Sequence, residues 1–305
     1  MLKTLSEQML VVAHRARAIL GDDRARQTKD FLLALAAPGG GFRGPGGSCD
    51  LYYTLFAADS LRALESPLPA DLRDYLLRVG DVASLDLIHL ACLARAWTRL
   101  APPMPDTQRA AIGARLAAFE SADGGYHTSG GARQGSIYGC FLGLGVLQDT
   151  GGMVADPARF LACVRALGHH DGSFVSEPGI ELATTNATVG GILLLRAMGE
   201  PVPPPSIAWL VAQADETEGG FRAGSVVPIP DLVSTATALF ALHAAGHPLD
   251  GQRESCLAFV ESLWSESGGF RAFWTDDAPD SEHTFYGLLS LGCLAETPDA
   301  AARQD

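Results

Sequence analysis

A turn made of glycine and an aromatic residue recurs along the chain and constrains its fold more than any other feature. The copies read Gly-Gly-aromatic, or Gly-Ser-aromatic in one case, and their aromatic residues are Phe42, Tyr126, Phe174, Phe221 and Phe270. The last four lie roughly 48 residues apart, and the first gap is about twice as long. A period of about 20–50 residues marks a repeat architecture, because one unit cannot bury its apolar face alone.

Two kinds of helical segment alternate between the turns, and no stretch alternates like a β-strand. Six amphipathic segments span 24–37, 70–78, 106–120, 157–168, 203–215 and 250–264. Six segments that are apolar nearly all round span 50–64, 82–99, 133–149, 182–198, 231–245 and 281–295. The repeat that contains segments 70–78 and 82–99 lacks its aromatic turn, which accounts for the doubled gap between Phe42 and Tyr126. Because a helix that is apolar on every side must be buried on every side, the pattern predicts an all-α fold.

The predicted fold is an (α/α)6 toroid, in which six inner helices form a ring inside six outer helices. Residues 1–23 are predicted to form an N-terminal helix packed on the toroid, and residues 24–305 the toroid itself. The N-terminal segment carries Glu7 ahead of a short apolar run, which is typical of an amphipathic helix rather than a signal peptide.

Composition excludes several classes of function. Hydrophobic residues make up 47% of the 305 positions and charged residues 19%, as in a folded protein with a large core. No apolar run is long enough to predict a transmembrane segment. The net charge of −13 argues against binding nucleic acid. The six cysteines form no CxxC motif, which indicates a reducing, cytoplasmic location.

The start of each inner helix is the predicted place for chemistry. In a toroid the inner helices run in the same direction, so their positive N-terminal ends meet at one rim. Asp or Ser at such a position is often only a helix cap, but a cap does not account for His283 or for the run Thr184-Thr185-Asn186. Glycines within the inner helices indicate close helix contacts or space for a ligand.

The repeated turns, each leading into an inner helix, resemble those of protein prenyltransferase β subunits and of squalene-hopene-type terpene cyclases. The resemblance covers about residues 24–296. In prenyltransferases an Asp-X-Cys motif and a His bind a catalytic zinc. Asp231 falls on that Asp, Val233 on the Cys, and His283 on the His. The resemblance therefore implies Asp231 and His283 as zinc ligands, and ring closure could bring Cys49 or Asp50 beside them.

The same resemblance implies an alternative, acid-initiated chemistry. Cyclases protonate an alkene with the middle acid of Asp-X-Asp-Asp-Thr-Ala, and here the aligned run is Asp231-Leu-Val-Ser-Thr-Ala. A single buried carboxylic acid would then serve, and Asp231, Glu181 and Asp50 are the candidates. Further candidates for contacts with the substrate, including a diphosphate, are Arg133, Gln134, Tyr53, Tyr138, Thr184, Thr185, Arg222 and Tyr286.

Three functions stay open at this stage. The first is an isoprenoid-handling enzyme similar to prenyltransferase β subunits, with zinc or with magnesium and a diphosphate. The second is a single-domain terpene cyclase with no metal. The third is a toroid that binds a ligand or partner without catalysis. The expected ligand is a prenyl or terpenoid molecule, and a helical partner subunit would accompany the first function.

Overall fold

The computed structural model describes residues 3–276 and 278–295, and within them the chain forms thirteen α-helices and two short hairpins. In chain order the helices are α1 (Leu5–His14), α2 (Arg17–Ala34), α3 (Leu51–Ala63), α4 (Leu72–Arg78), α5 (Leu87–Trp97), α6 (Asp106–Leu116), α7 (Ile137–Thr150), α8 (Pro157–Ala166), α9 (Thr185–Ala197), α10 (Pro204–Val211), α11 (Leu232–Ala244), α12 (Asp250–Ser262) and α13 (Ser281–Leu294). The hairpins pair β1 (Phe42–Arg43) with β2 (Cys49–Asp50) and β3 (Phe221–Arg222) with β4 (Pro230–Asp231), both antiparallel.

The inner helices close into a ring, as the alternation of segments predicts. Helices α3, α5, α7, α9, α11 and α13 each pack on the next, and α13 packs back on α3. Outer helices α2, α4, α6, α8, α10 and α12 pack against this ring from outside. The core lies between the two layers and within the ring, where most of the buried Leu, Phe and Ala side chains meet. The all-α toroid is therefore confirmed.

The aromatic turns attach five of the six outer helices to the inner helix that follows, and the pair α4 and α5 lacks one. At the first turn Gly40 has φ of 97°, and a Cβ there would lie 2.2 Å from the backbone oxygen of Asp71, so only glycine fits. The N–H of Phe221 donates to the hydroxyl of Thr235, one turn inside α11, at 2.9 Å. The same bond recurs in the other copies, from Phe42 to Thr54, Phe174 to Thr188, Phe270 to Thr284, and Tyr126 to the thiol of Cys140.

Several helices begin later than the sequence indicates. Helices α5, α7 and α9 start at Leu87, Ile137 and Thr185 rather than at 82, 133 and 182, because extended residues precede them. The first outer helix begins earlier than 24, at Arg17, and bends at Gly21, where φ is 69°. Apolar periodicity does not mark these limits, because an extended capping residue fixes where each helix begins.

The cysteines are all free, and five of them are buried, as expected for small core residues. Cys49 is exposed. Within the described residues, no helix combines the length and the apolar character that crossing a bilayer requires.

Candidate functional site

A cavity of about 400 Å³ occupies the centre of the ring. All six inner helices contribute to its wall, and three residues of α1, Leu5, Ser6 and Met9, line it as well. The aromatic side chains that line it are Tyr52, Phe56, Tyr138, Phe141, Phe240 and Tyr286. The wall is thus mainly apolar and aromatic, with few polar groups, as in most small-molecule sites.

Helix α1 closes the end of the cavity at which the inner helices finish. The N–H of Leu5 donates to the side chain of Gln148, at the end of α7, and the ring of His14 contacts the carbonyl of Ala63, at the end of α3. Gly292 of α13 allows α1 to approach closely, since a Cβ there would lie 2.0 Å from the carbonyl oxygen of Val12. The opposite end, where the inner helices begin, is therefore the mouth.

Every inner helix is capped at the mouth by a side chain. The caps are Asp50, Asp86, Ser136, Thr184, Asp231 and Asp280, each accepting a hydrogen bond from a backbone N–H of its own first turn. Three of the aspartates also pair with an aromatic turn through the backbone, as Phe42 with Asp50, Phe221 with Asp231 and Phe270 with Asp280. Capping groups thus neutralise much of the positive end of each helix.

The structure places Asp231 and Asp50 at helix caps. Asp231 accepts from the N–H of Ser234 at 2.7 Å, and Asp50 from that of Tyr52 at 2.7 Å. Neither carboxylate lines the cavity, whereas Val233, at the position of the prenyltransferase cysteine, does line it. Asp50 also lies 3.7 Å from His89, whose other ring nitrogen contacts Asp86.

His283 belongs to a cluster with Asp280 and Glu282, whose ligand atoms lie within 4.8 Å of one another. Burial disfavours the charged imidazole, but the hydrogen bond and charge of Asp280 outweigh it, so the pKa of His283 is raised. Burial also raises the pKa of Glu282, and the hydroxyl of Tyr52, which donates to its Oε1 at 2.5 Å, offsets part of that effect. No other set of three His, Cys, Asp or Glu residues in the described part of the chain is as close.

A second charged cluster lies at the end of the cavity that α1 closes, which is called the floor. Asp59 of α3 is fully buried and contacts Arg95 and Arg99, each at 2.5 Å. The guanidinium of Arg95 also lies over the ring of Phe285 and lines the cavity. Asp149, at the end of α7, lines the cavity too, and its pKa is raised because burial outweighs its hydrogen bond from Ser6 and the two arginines.

Three of the predicted substrate contacts line the cavity, namely Tyr138, Thr184 and Tyr286. Tyr138 is 46% exposed and faces the open space, and burial of part of its ring raises its pKa to about 12. Tyr53 lies outside the cavity, beside Gly44, and its carbonyl accepts from Ser281 across the junction of α3 and α13. Burial raises the pKa of Tyr53.

The other predicted residues do not line the cavity. Thr185 donates to the carbonyl of Arg222, whose own side chain reaches the carbonyl of Ala212. Cys49 lies against Gly41 and Tyr75 on the outer side, and outside the three-residue cluster of His283. The remaining residues of the predicted site are exposed to solvent, and these are Glu181, Arg133 and Gln134.

Sequence reasoning assigned no role to the acids that do face the cavity, Glu282 and Asp149, or to Arg95. A signal for Asp149 was present, because an acid in the last turn of an apolar helix faces the negative end of the helix dipole. Asp59 offered a signal for Arg95, because a carboxylate within an apolar helix requires a buried cation as a partner. Arg95 and Arg99 lie one helical turn apart and could both supply it.

Solved structures of a type II terpene cyclase share this fold. The type II terpene cyclase MstE from Scytonema is similar in a variant bound to geranylgeranyl dihydroxybenzoate, with a TM-score of 0.60 and 12% identity over 95% of this chain and 98% of that one. The apo enzyme gives 0.57 and 14% over 92% and 98%. Protein geranylgeranyltransferase-I from Candida albicans gives 0.49 and 14% over 98% and 90%. No curated protein matches the chain in sequence.

The family model for the prenyltransferase alpha-alpha toroid domain matches the chain twice, over residues 8–199 and 188–298. Together these matches span both the ring and most of α1. The toroid that the family's description names agrees with the closed ring of inner helices. The chain therefore belongs to the prenyltransferase alpha-alpha toroid domain family.

Proposed function

We propose that this protein is an isoprenoid-handling enzyme that holds a prenyl chain in its central cavity and starts cyclisation by protonating an alkene. The observation that carries the proposal is an apolar cavity of about 400 Å³ with a carboxyl side chain at each end, Glu282 at the mouth and Asp149 at the floor. A carboxylic acid that an apolar site keeps protonated is suited to donate a proton.

The wall of the cavity suits the intermediates of such a reaction. Tyr52, Phe56 and Tyr286 form a continuous aromatic group, with the ring centre of Phe56 at 4.9 Å from that of Tyr52 and 5.6 Å from that of Tyr286. The face of an aromatic ring attracts a cation. The faces of these rings would thus stabilise a carbocation that forms on a folded prenyl chain.

The charge at the mouth favours this chemistry over transfer from a prenyl diphosphate. Four of the six helix caps there are aspartates, and Glu282 adds a further acid. Arg95 is the one arginine or lysine among the described residues that line the cavity, and it lies at the floor in contact with Asp59. A diphosphate at this mouth would meet carboxylates where it needs cations.

The fold shared with MstE suggests a substrate class. That enzyme was solved with geranylgeranyl dihydroxybenzoate as its substrate. We infer that this protein accepts a compound of the same general kind, with a long apolar prenyl chain and a polar head.

Incubation of purified protein with geranylgeranyl dihydroxybenzoate and with geranylgeraniol, in the presence of a chelator, tests the proposal. Cyclisation is an isomerisation, so we expect a product of unchanged mass and altered chromatographic retention. The matched control is Gly145→Leu, which fills the cavity. If no isomer forms from either compound and native mass spectrometry detects no binding, the proposal is wrong.

Metal-dependent prenyl transfer is a second candidate, supported by Asp280, Glu282 and His283. Two carboxylates and an imidazole fit the minimum of three protein ligands for a catalytic zinc. A zinc ion held there would act as a Lewis acid at the mouth. We expect, under this candidate, near-stoichiometric zinc in purified protein and its loss in Asp280→Asn. A helical partner subunit belongs to this candidate too, and size-exclusion chromatography with the co-expressed partner would detect it.

A further inference from the structure

Asp149 is placed unlike any other acid of the cavity. It lies at the closed end, in contact with Ser6 of α1, and it lines the space in which a ligand would lie. Ser6 of α1, which is 7% exposed, donates its hydroxyl proton to Oδ1 of Asp149 at 2.6 Å. The rest of the ring's framework does not use this carboxyl, since it caps no helix and contacts neither arginine of the floor within salt-bridge distance.

A chain of hydroxyl groups connects Asp149 with the outside. Ser6 Oγ lies 3.1 Å from Oγ1 of Thr4, and Thr4 is partly exposed. Thr4 Oγ1 accepts a hydrogen bond from the N–H of Glu7, which leaves its own proton free to point to Ser6. The hydroxyl protons can thus all be directed inward, from Thr4 to Ser6 and from Ser6 to Asp149.

The charges around Asp149 suit an acid that gives up its proton and takes it back. Asp59, Arg95 and Arg99 face it from α3 and from the end of α5, and together they carry one surplus positive charge. Burial keeps the pKa of Asp149 raised in the resting state. Once the carboxylate forms, the surplus positive charge stabilises it.

We propose that Asp149 is the proton donor of the cyclisation and that Ser6 and Thr4 return a proton to it from solvent. This inference rests on the proposed function and adds the orientation of the prenyl chain in the cavity. The terminal alkene of the prenyl chain would lie at the floor, beside Asp149, and the polar head at the mouth. α1 is then part of the catalytic site rather than only a closure of the ring.

The step balances without a cofactor. The π electrons of the terminal alkene take the proton of Asp149, which forms a C–H bond and leaves a tertiary carbocation and the Asp149 carboxylate. Attack by the next alkene forms a C–C bond and moves the positive charge along the chain. Loss of a proton to water ends the reaction, and a proton from solvent reaches Asp149 through Thr4 and Ser6.

A binding experiment tests the position of the acid without requiring turnover. The probes are geranylgeraniol and an analogue that carries a tertiary ammonium group in place of the terminal alkene. We expect Asp149→Asn to weaken binding of the amine about tenfold or more, because a buried ion pair is lost, and to leave binding of the alcohol unchanged. The matched control is Asp106→Asn, an exposed acid on α6, which should alter neither.

The outcomes distinguish a failure of the proposed function from a failure of the inference about Asp149. If the wild-type protein binds neither probe, the proposed function is wrong. Suppose instead that the wild-type protein binds both probes, and that Glu282→Gln weakens binding of the amine whereas Asp149→Asn does not. The acid is then at the mouth, so this inference is wrong while the proposed function stands. Thermal unfolding checks that each variant is folded.

Kinetics test the hydroxyl relay. Asp149 is already protonated before the first turnover, so Ser6→Ala should slow later turnovers about tenfold or more relative to the first, which appears as a burst. Ser6→Thr keeps the hydroxyl and should restore steady turnover. Equal slowing of the first and later turnovers would show a structural role for Ser6 and contradict the relay.

Discussion

At the scale of single residues, a threonine hydroxyl joins the aromatic turn to its inner helix in four of the repeats. Thr235 accepts from the N–H of Phe221 at 2.9 Å and donates to the carbonyl of Asp231 at 2.7 Å. The aromatic ring then lies against a small residue one turn further along several of the inner helices, as Phe174 does on Gly191 and Phe270 on Gly287. The polar residues inside these apolar helices thus hold the turns.

Loss of that hydroxyl should destabilise the protein. In Thr235→Val the shape is kept, but the buried N–H of Phe221 loses its acceptor, and we expect the free energy of unfolding to fall by about 1–3 kcal/mol. Urea unfolding followed by circular dichroism measures it. The control Thr107→Val changes an exposed threonine of α6 and should stay within about 0.5 kcal/mol of the wild type. Equal effects of the two variants would contradict the assigned role.

One carboxylate stabilises its turn in a pH-dependent way. Burial disfavours the ionised form of Asp123, but its hydrogen bonds from Ser121 and from the N–H groups of Gly135 and Gly125 outweigh this and lower its pKa. A folded-state pKa below the unfolded value of 3.8 means that the stabilisation is complete above that value and is lost as the pH falls through the folded-state pKa.

We therefore expect Asp123→Asn to lower stability by about 1 kcal/mol at neutral pH, with a difference from the wild type that shrinks as the pH falls below 3.8. Urea midpoints over a pH series measure the difference. Asp106→Asn, at a fully exposed site, is the control. A difference that grows towards acid pH would contradict the sign.

At the scale of elements, α1 depends on small residues of the ring beneath it. Gly292 of α13 lies under the backbone of Val12, and Arg99 donates to the carbonyl of Ser6 from the end of α5. These contacts place Leu5, Ser6 and Met9 at the floor of the cavity. The length of the cavity is therefore set by α1 and not by the ring alone.

Gly292→Val should displace α1, because the new side chain would overlap the backbone of Val12. We expect faster hydrogen exchange in α1 and a loss of stability of about 1–3 kcal/mol, while the ring keeps its helical content. The control is Gly251→Val, on the exposed side of α12, where a Cβ meets no atom within 4 Å. Unchanged exchange in α1 would show that it does not depend on this contact.

At the scale of the whole molecule, the cavity exists because the inner helices form a ring. Phe56 of α3 packs on Phe285 and Tyr286 of α13, and this contact joins the two ends of the repeat array. Small residues facing the axis keep the centre open. Gly145 of α7 lines it, and a Cβ at that position would meet no atom within 4 Å. The space is thus a product of ring closure together with a few small side chains.

Gly145→Leu should fill that space without harming the fold. Glycine costs about 1 kcal/mol within a helix, so we expect equal or slightly higher thermal stability, and a loss of prenyl-alcohol binding of about tenfold or more because the cavity is occupied. Gly251→Leu makes the same change on the outer surface and should leave binding intact. Full binding by the Gly145 variant would place the ligand elsewhere.

The sequence by itself determined the repeat, the two kinds of helix and the ring. These follow from local features: glycines such as Gly40 that must adopt positive φ, and apolar residues at helical spacing. It also placed His283 and Tyr286 on the sixth inner helix, which is α13. These features act within a few residues of one another, so they can be read along the chain.

Only the tertiary structure decided which acids face the cavity. Asp231 and Asp50 lie at the mouth, but the backbone N–H groups of their own helices bind their carboxylates. Asp149 looks like the end of an ordinary helix until α1, more than a hundred residues away in the sequence, covers it. The physical reason is that burial and the pairing of charges depend on residues that meet only when the ring has closed.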